Sequence, residues 1–337
     1  MMLRSKIAIG AAAAATVIAT TAAAFPAVPV DQPQPFPALT AQALAARYAE
    51  DSRMIAQDAR AASHAGNQGL AHELDAMRGE HFIDFNPRGQ GLAVEVIGNL
   101  AQATRVAVIV PGSDTTLATF DSRGTASPGG AAAALAKQAR ELDPGAHLAV
   151  IAWLGYATPA TLSPGVLTSG DAGQGAAALR TFVDDLARSG RRVALICHSY
   201  GSVVCGLAAS NLPVTDIAVV GSPGMDAASA TALHTAARVW AGRGTSDWIR
   251  YAPHVQFLGV GFGSDPMNPA FGARIFDAGS GGHSGYFRPG SISLRNLAYI
   301  ALGDPGRVTG VPGATVTTTA ARTTAAAAAT AAIGGAR

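Results

Sequence analysis

The stretch VALICHSYGSVVCGLA at residues 193–208 decides how the rest of the chain is read. Its first five residues are a short continuous apolar run, the pattern of a strand buried on both faces. Residues 201–208 are small or apolar and can continue as a buried helix. Between the two, Cys197-His198-Ser199-Tyr200-Gly201 must turn sharply from strand to helix. Such a turn strains the serine backbone and holds its hydroxyl clear of the sheet, and it needs small neighbours so that strand and helix can approach. Gly201 is one such neighbour. Two residues before the serine, where glycine is usual, the chain has the compact thiol of Cys197. The plainer alternative for Ser199 is an ordinary turn or helix cap.

Working outward, β-branched apolar runs recur at 106–110, 148–152, 217–220, 237–240 and 255–260, with a last short strand expected at 273–276. Amphipathic helical spacing separates them, at Leu135, Ala136, Ala139 and Leu142, at Leu179, Phe182, Val183 and Leu186, and at Leu294, Leu297, Ala298 and Ala301. Strand and helix alternate, which predicts a mostly parallel sheet with helices on both faces and a functional rim at the carboxyl ends of the strands. Residues 81–85 and 92–97 alternate like half-buried strands around a Pro87-Arg88-Gly89 turn and read as an antiparallel hairpin. Before them, Ala41, Leu44, Ala45, Tyr48, Ser52, Ile55, Ala59 and Ala62 on one face, then Leu70, Leu74 and Met77, mark two helices of an N-terminal extension.

A nucleophilic serine needs an imidazole to take its proton and a carboxylate to orient that imidazole, here in the chain order serine, acid, histidine. Asp247 lies in the Gly-rich loop after the strand ending at Trp240, and Asp265, in Gly263-Ser264-Asp265-Pro266, is the alternative acid. His283, in Gly281-Gly282-His283-Ser284-Gly285, follows the last strand and is the expected base. His254 is its competitor, but it precedes a strand instead of following one. An oxyanion formed at Ser199 needs two backbone N–H donors. Tyr200 supplies the first, and Ser113, made accessible by Gly112 after the strand at 106–110, supplies the second; a tight turn is the other reading of that loop.

Val-Pro-Gly at 110–112 with Thr-Thr-Leu at 115–117, Ala-Trp-Leu-Gly-Tyr at 152–156, His-Ser-Tyr-Gly-Ser at 198–202, Gly-Ser-Pro-Gly at 221–224 and Gly-Gly-His-Ser-Gly-Tyr at 281–286 resemble an actinobacterial α/β-hydrolase family of uncharacterised function. The resemblance spans about residues 80–303. It implies the α/β-hydrolase fold and a Ser199, Asp247, His283 triad, and it brings no substrate with it.

The ends of the chain differ from its centre. Arg4 and Lys6 precede an apolar stretch and the small residues Ala22, Ala23 and Ala24, the pattern of a secretory signal peptide over 1–24. A Pro-rich linker at 25–37, the helical extension at 38–80, the hydrolase domain at 81–305 and an Ala/Thr-rich disordered tail at 306–337 complete the expected organisation. Without Arg4 and Lys6, the 24 basic residues fall to 22 against 22 acidic ones, which argues against a nucleic-acid partner. The two cysteines, Cys197 and Cys205, are too few for a disulfide framework; they could approach each other across the strand-to-helix turn, but free buried thiols are the simpler expectation. No His or Cys spacing implies a metal, and no motif implies a cofactor.

The resulting expectation is a secreted or envelope-associated serine hydrolase cleaving ester-like bonds in a small or lipid-like acyl substrate, with no stable membrane insertion after cleavage. An envelope acyltransferase with the same triad and a catalytically silent binding protein on the same scaffold are the alternatives.

Overall fold

Each described apolar run becomes a strand of one sheet. The computed structural model describes residues 36–121, 124–161, 170–252 and 261–311. The strands are β1 (Phe82–Asn86), β2 (Leu92–Ile97), β3 (Arg105–Val110), β4 (Leu148–Leu154), β5 (Arg192–His198), β6 (Val214–Val220), β7 (Arg238–Gly242) and β8 (Arg274–Ile275). They lie in the order β1-β2-β4-β3-β5-β6-β7-β8. β1 pairs antiparallel with β2, and β2 antiparallel with β4; from β4 to β8 every pairing is parallel. The segments expected to be a signal peptide and a strand at 255–260, and His254 with them, lie outside the described residues.

Six helices are described: α1 (Ala41–His64), α2 (Gln68–Ala76), α3 (Pro128–Leu142), α4 (Gly170–Arg188), α5 (Gly201–Ala208) and α6 (Ile292–Leu302). The period-2 side-chain alternation of a strand sends neighbouring residues to opposite faces of the sheet. On β3, Val106, Val108 and Val110 join the core layer that contains Leu179, Val183 and Leu186 of α4 and Val203 and Val204 of α5. Ala107 and Ile109 enter the opposite layer with Leu135 of α3 and Leu297 of α6. Both faces of β3 are therefore dry, which explains its unbroken apolar sequence. Asp216 at the amino end of β6 is a buried charged residue within the sheet. It receives Arg238 through two 2.7 Å hydrogen bonds and Trp240 Nε1 at 2.8 Å, so its charge is fully partnered.

The expected final strand is shorter than its apolar run, because only Arg274 and Ile275 pair with β7. Phe276 instead bridges antiparallel to Gly310, and the Thr309 N–H donates to Asn296 Oδ1 at 2.9 Å, so packed structure continues past residue 305. The cysteines also depart from expectation: Cys197 and Cys205 form a disulfide, at a Cα–Cα distance of 6.5 Å. Cys197 is the penultimate residue of β5 and Cys205 sits in the second turn of α5, so the sharp strand-to-helix turn brings the two sulfurs together.

The sheet order contains one reversal. After β3 the chain adds β4 on one side, then returns to place β5 on the other. Loops leaving such neighbours diverge and open a crevice at their carboxyl ends. Val110 is level with Cys197, His198 with Val220, and Val220 with Gly242, so the loops after β3, β5, β6 and β7 start from one rim.

Candidate active site

Ser199 leaves β5 with φ at 54°, in the left-handed region that costs a non-glycine residue energy. Its N–H donates to Val220 O on β6 at 3.0 Å, which ties the strained turn to the sheet. A Cβ on Gly201 would lie 2.5 Å from the carbonyl oxygens of Val110 and Pro111, so α5 can start this close to β3 only with glycine there. The Cys197 position tolerates a side chain because its sulfur points away into the bridge to Cys205. The elbow is thus closed by a covalent link where the usual pattern has a second glycine.

The structure brings Ser199, His283 and Asp247 together. His283 Nε2 is 2.9 Å from Ser199 Oγ, and His283 Nδ1 is 2.9 Å from Asp247 Oδ1 and 3.1 Å from Oδ2. Asp247 has no exposed surface. Burial pushes its carboxyl up, but hydrogen bonds from His283, Tyr286 and the Ile249 N–H outweigh this and hold it below its ordinary value. An ionised Asp247 requires the proton on Nδ1, which leaves Nε2 as the acceptor facing the serine hydroxyl. Tyr286 is fixed in turn by the Gly244 N–H, which donates to its oxygen at 3.2 Å.

Asp265, the alternative acid, is not at the imidazole. It pairs with Arg243 Nη1 at 2.9 Å and caps its own turn by accepting from the Met267 N–H. His198, inside the elbow, has a separate task. Burial, reinforced by the neighbouring His283, pulls its imidazole down to about 4, so it is neutral. Neutral His198 donates through Nε2–H to the backbone oxygen of His283 at 2.8 Å, tying the His283 loop to the elbow.

The two residues expected as oxyanion donors, Tyr200 and Ser113, line the same cleft as Ser199. Tyr200 immediately precedes α5 as its N-cap, with its side chain buried and its hydroxyl accepting from the Ala172 N–H at 3.2 Å. The loop after β3 passes so close that a Cβ on Gly112 would lie 2.7 Å from Ser199 Cβ. Ser113 follows directly, and its N–H donates to no backbone acceptor among the described residues. Tyr156 braces this loop by donating to Pro111 O at 2.7 Å.

Ser199, His283, Ser113 and Tyr200 line a cleft of about 550 Å³. Its other walls include Ile109, Pro111, Ala131, Ile249, Phe262 and Phe287, with Asp114 the sole carboxylate among the lining residues. Asp114 is occupied by Thr161, whose N–H and hydroxyl both donate to it. Trp248, half exposed at the rim, has its ring 4.7 Å from that of His283. Trp248, Tyr286 and the bond from His198 are the parts of the site that sequence reasoning left unassigned. Tyr286 closes the Gly-Gly-His-Ser-Gly-Tyr phrase, and that was the one available signal for it.

Residues 86–257 match the profile of the alpha/beta hydrolase family. The chain belongs to that family. Two uncharacterised proteins of Mycobacterium tuberculosis, from strains CDC 1551 and H37Rv, are each 34% identical over 251 residues, which cover 64% of this chain and 37% of theirs. The chain therefore spans little more than a third of the length of these curated relatives. Among solved structures it is similar to a dienelactone hydrolase from Anabaena variabilis, with 16% identity, a TM-score of 0.45, and coverage of 68% of this chain and 98% of that one. An alpha-beta serine hydrolase homologue from Coxiella burnetii is similar with 13% identity, a TM-score of 0.40, and coverage of 67% and 96%.

Proposed function

We propose that the protein is a serine hydrolase cleaving ester-like bonds, with Ser199 as nucleophile, His283 as general base and Asp247 as the carboxylate that orients it. The observation that carries this reading is the unbroken hydrogen-bonded chain from Asp247 through His283 to Ser199 Oγ, opening into a cleft. His283 Nε2 takes the hydroxyl proton as Ser199 Oγ bonds to the substrate carbonyl carbon. The carbonyl oxygen becomes an oxyanion and accepts from the N–H groups of Tyr200 and Ser113. One such donor is worth about 3 kcal/mol of barrier, or roughly two orders of magnitude in rate.

Collapse of this intermediate expels the alcohol, which takes its proton from His283 and leaves an acyl group on Ser199. Water, deprotonated by the same imidazole, then attacks the acyl carbon and frees the acid and Ser199. The Asp247 carboxylate stabilises the imidazolium in both halves.

The cleft sets the substrate class. Its volume is that of a small-molecule site, and its apolar walls favour an uncharged acyl chain. The signal-like segment at 1–24 supports export, so an extracellular or envelope-derived acyl substrate is part of the proposal. The test is hydrolysis of p-nitrophenyl esters of graded acyl length. Turnover that depends on Ser199 and peaks at one chain length is the expected result. No turnover on any ester, with a folded protein, would leave a silent scaffold in place of an enzyme.

A further inference from the structure

Behind the cleft wall formed by residues 124–128, acidic side chains from separate parts of the chain converge. Oxygen atoms of Glu80 before β1, Glu95 on β2 and Asp121 on the loop after β3 all lie within 4.8 Å of one another. Glu95 is only 7% exposed and its Oε2 has no hydrogen-bond partner; Glu80 Oε2 and Asp121 Oδ2 are likewise buried and unpartnered. Glu73 on α2 adds a fourth carboxylate and accepts from the Asp121 N–H at 2.8 Å, which fixes the loop over the cluster. Asp121 Oδ1 lies against the first turn of α3, 1.8 Å from where a Cβ on Gly129 would stand, so this packing requires glycine there.

No Lys or Arg ion pair to Glu80, Glu95 or Asp121 exists among the described residues, and all three lack a partner on one oxygen. The Glu80 and Asp121 side chains hydrogen-bond to each other, so a proton held between them relieves part of the repulsion among the carboxylates, but that proton does not reach the unpartnered Oε2 of Glu95. The amino end of α3 contributes only about half a positive charge. An unpartnered oxygen on a side chain this buried leaves a polar group without compensation. A cation bound among these oxygens would supply it.

We propose that Glu80, Glu95 and Asp121 ligate a calcium ion that ties the N-terminal helices to the wall of the cleft. Every donor is a hard carboxylate oxygen, which selects Ca²⁺ or Mg²⁺ over softer metals. Oxygens spread over as much as 4.8 Å suit Ca²⁺, whose ligands sit at about 2.4 Å in irregular six- to eightfold geometry, better than Mg²⁺, which demands an octahedron at about 2.1 Å. The position gives the ion a consequence. Asp121 leads into Thr125, Ala126, Ser127 and Pro128, all of which line the cleft, so fixing Asp121 fixes one wall of the substrate site.

The experiment is calorimetric titration of the full chain with CaCl₂ after treatment with EDTA, with thermal melts in parallel. Binding of one ion per chain, a melting temperature that rises with Ca²⁺, and about tenfold or weaker response to MgCl₂ are expected. Glu95→Gln and Glu80→Gln should each lose the binding. Two results would overturn the site: no heat or melting shift with wild type up to about 10 mM CaCl₂, or undiminished binding in either folded variant. Should Glu95→Gln fail to fold, the partly exposed Glu80→Gln decides alone. A Glu95→Gln protein more stable than a calcium-indifferent wild type would mark instead a cluster held together by shared protons.

Discussion

Asp247 reaches the imidazole with a wholly buried carboxylate, and its surroundings make it the ionised partner. Hydrogen bonds hold its folded-state value below the ordinary one, so it contributes stability at neutral pH that is lost as the pH falls through the acid range. Asp247→Asn should therefore narrow the stability difference between pH 7 and pH 3 in acid-denaturation curves, while turnover falls about 10³- to 10⁴-fold because an amide holds the wrong tautomer. Asp265→Asn should stay within about tenfold of wild type in turnover, since its partner is Arg243. A larger loss at Asp265 would move the role there. His198 is neutral above about pH 4, so His198→Ala should lower kcat through the His283 loop without adding or removing a pH limb between 5 and 8. The order serine, acid, histidine was legible in the sequence. Tyr286 was not, because nothing local says that its hydroxyl meets an acid 39 residues away.

At the scale of the element, α1 shows what a periodicity count omits. Of the predicted apolar face, Leu44, Ile55, Ala59 and Ala62 are buried while Ala41 and Ala45 are exposed, and Asp51 shares the buried side, with no exposed surface and both carboxylate oxygens unpartnered. Burial pushes Asp51 up to about 7. The folded state thus holds its proton more tightly than the unfolded chain, so stability is lost as the pH rises from about 4 through 7. Asp51→Asn should raise stability at pH 8 by about 2 kcal/mol and have little effect at pH 4, as read from urea denaturation at the two pH values. The disulfide was an open alternative in the sequence. The turn that lets Cys205 approach Cys197 was visible, but a separation of eight residues does not say whether the two sulfurs meet at bonding geometry. The acidic cluster escaped notice because its members are joined only by tertiary packing.

For the whole molecule, alternating strand and helix patterns foretold the architecture, and the antiparallel hairpin was visible in its turn. The sheet order was not, since an apolar run buried on both faces carries no label for its neighbour. That β3 lies between β4 and β5 is what opens the crevice, and the level pairing of Val110 with Cys197 brings Gly112 against Ser199. The central claim is that this crevice activates Ser199 and no other hydroxyl. Its most direct measurement is labelling with a fluorophosphonate probe followed by mass-spectrometric mapping of the modified peptide. A single phosphonyl adduct on Ser199 is predicted, slowed greatly in His283→Ala and absent in Ser199→Ala, with the stability of Ser199→Ala within about 1 kcal/mol of wild type. An unlabelled wild type, or undiminished labelling of a folded Ser199→Ala protein, would contradict it.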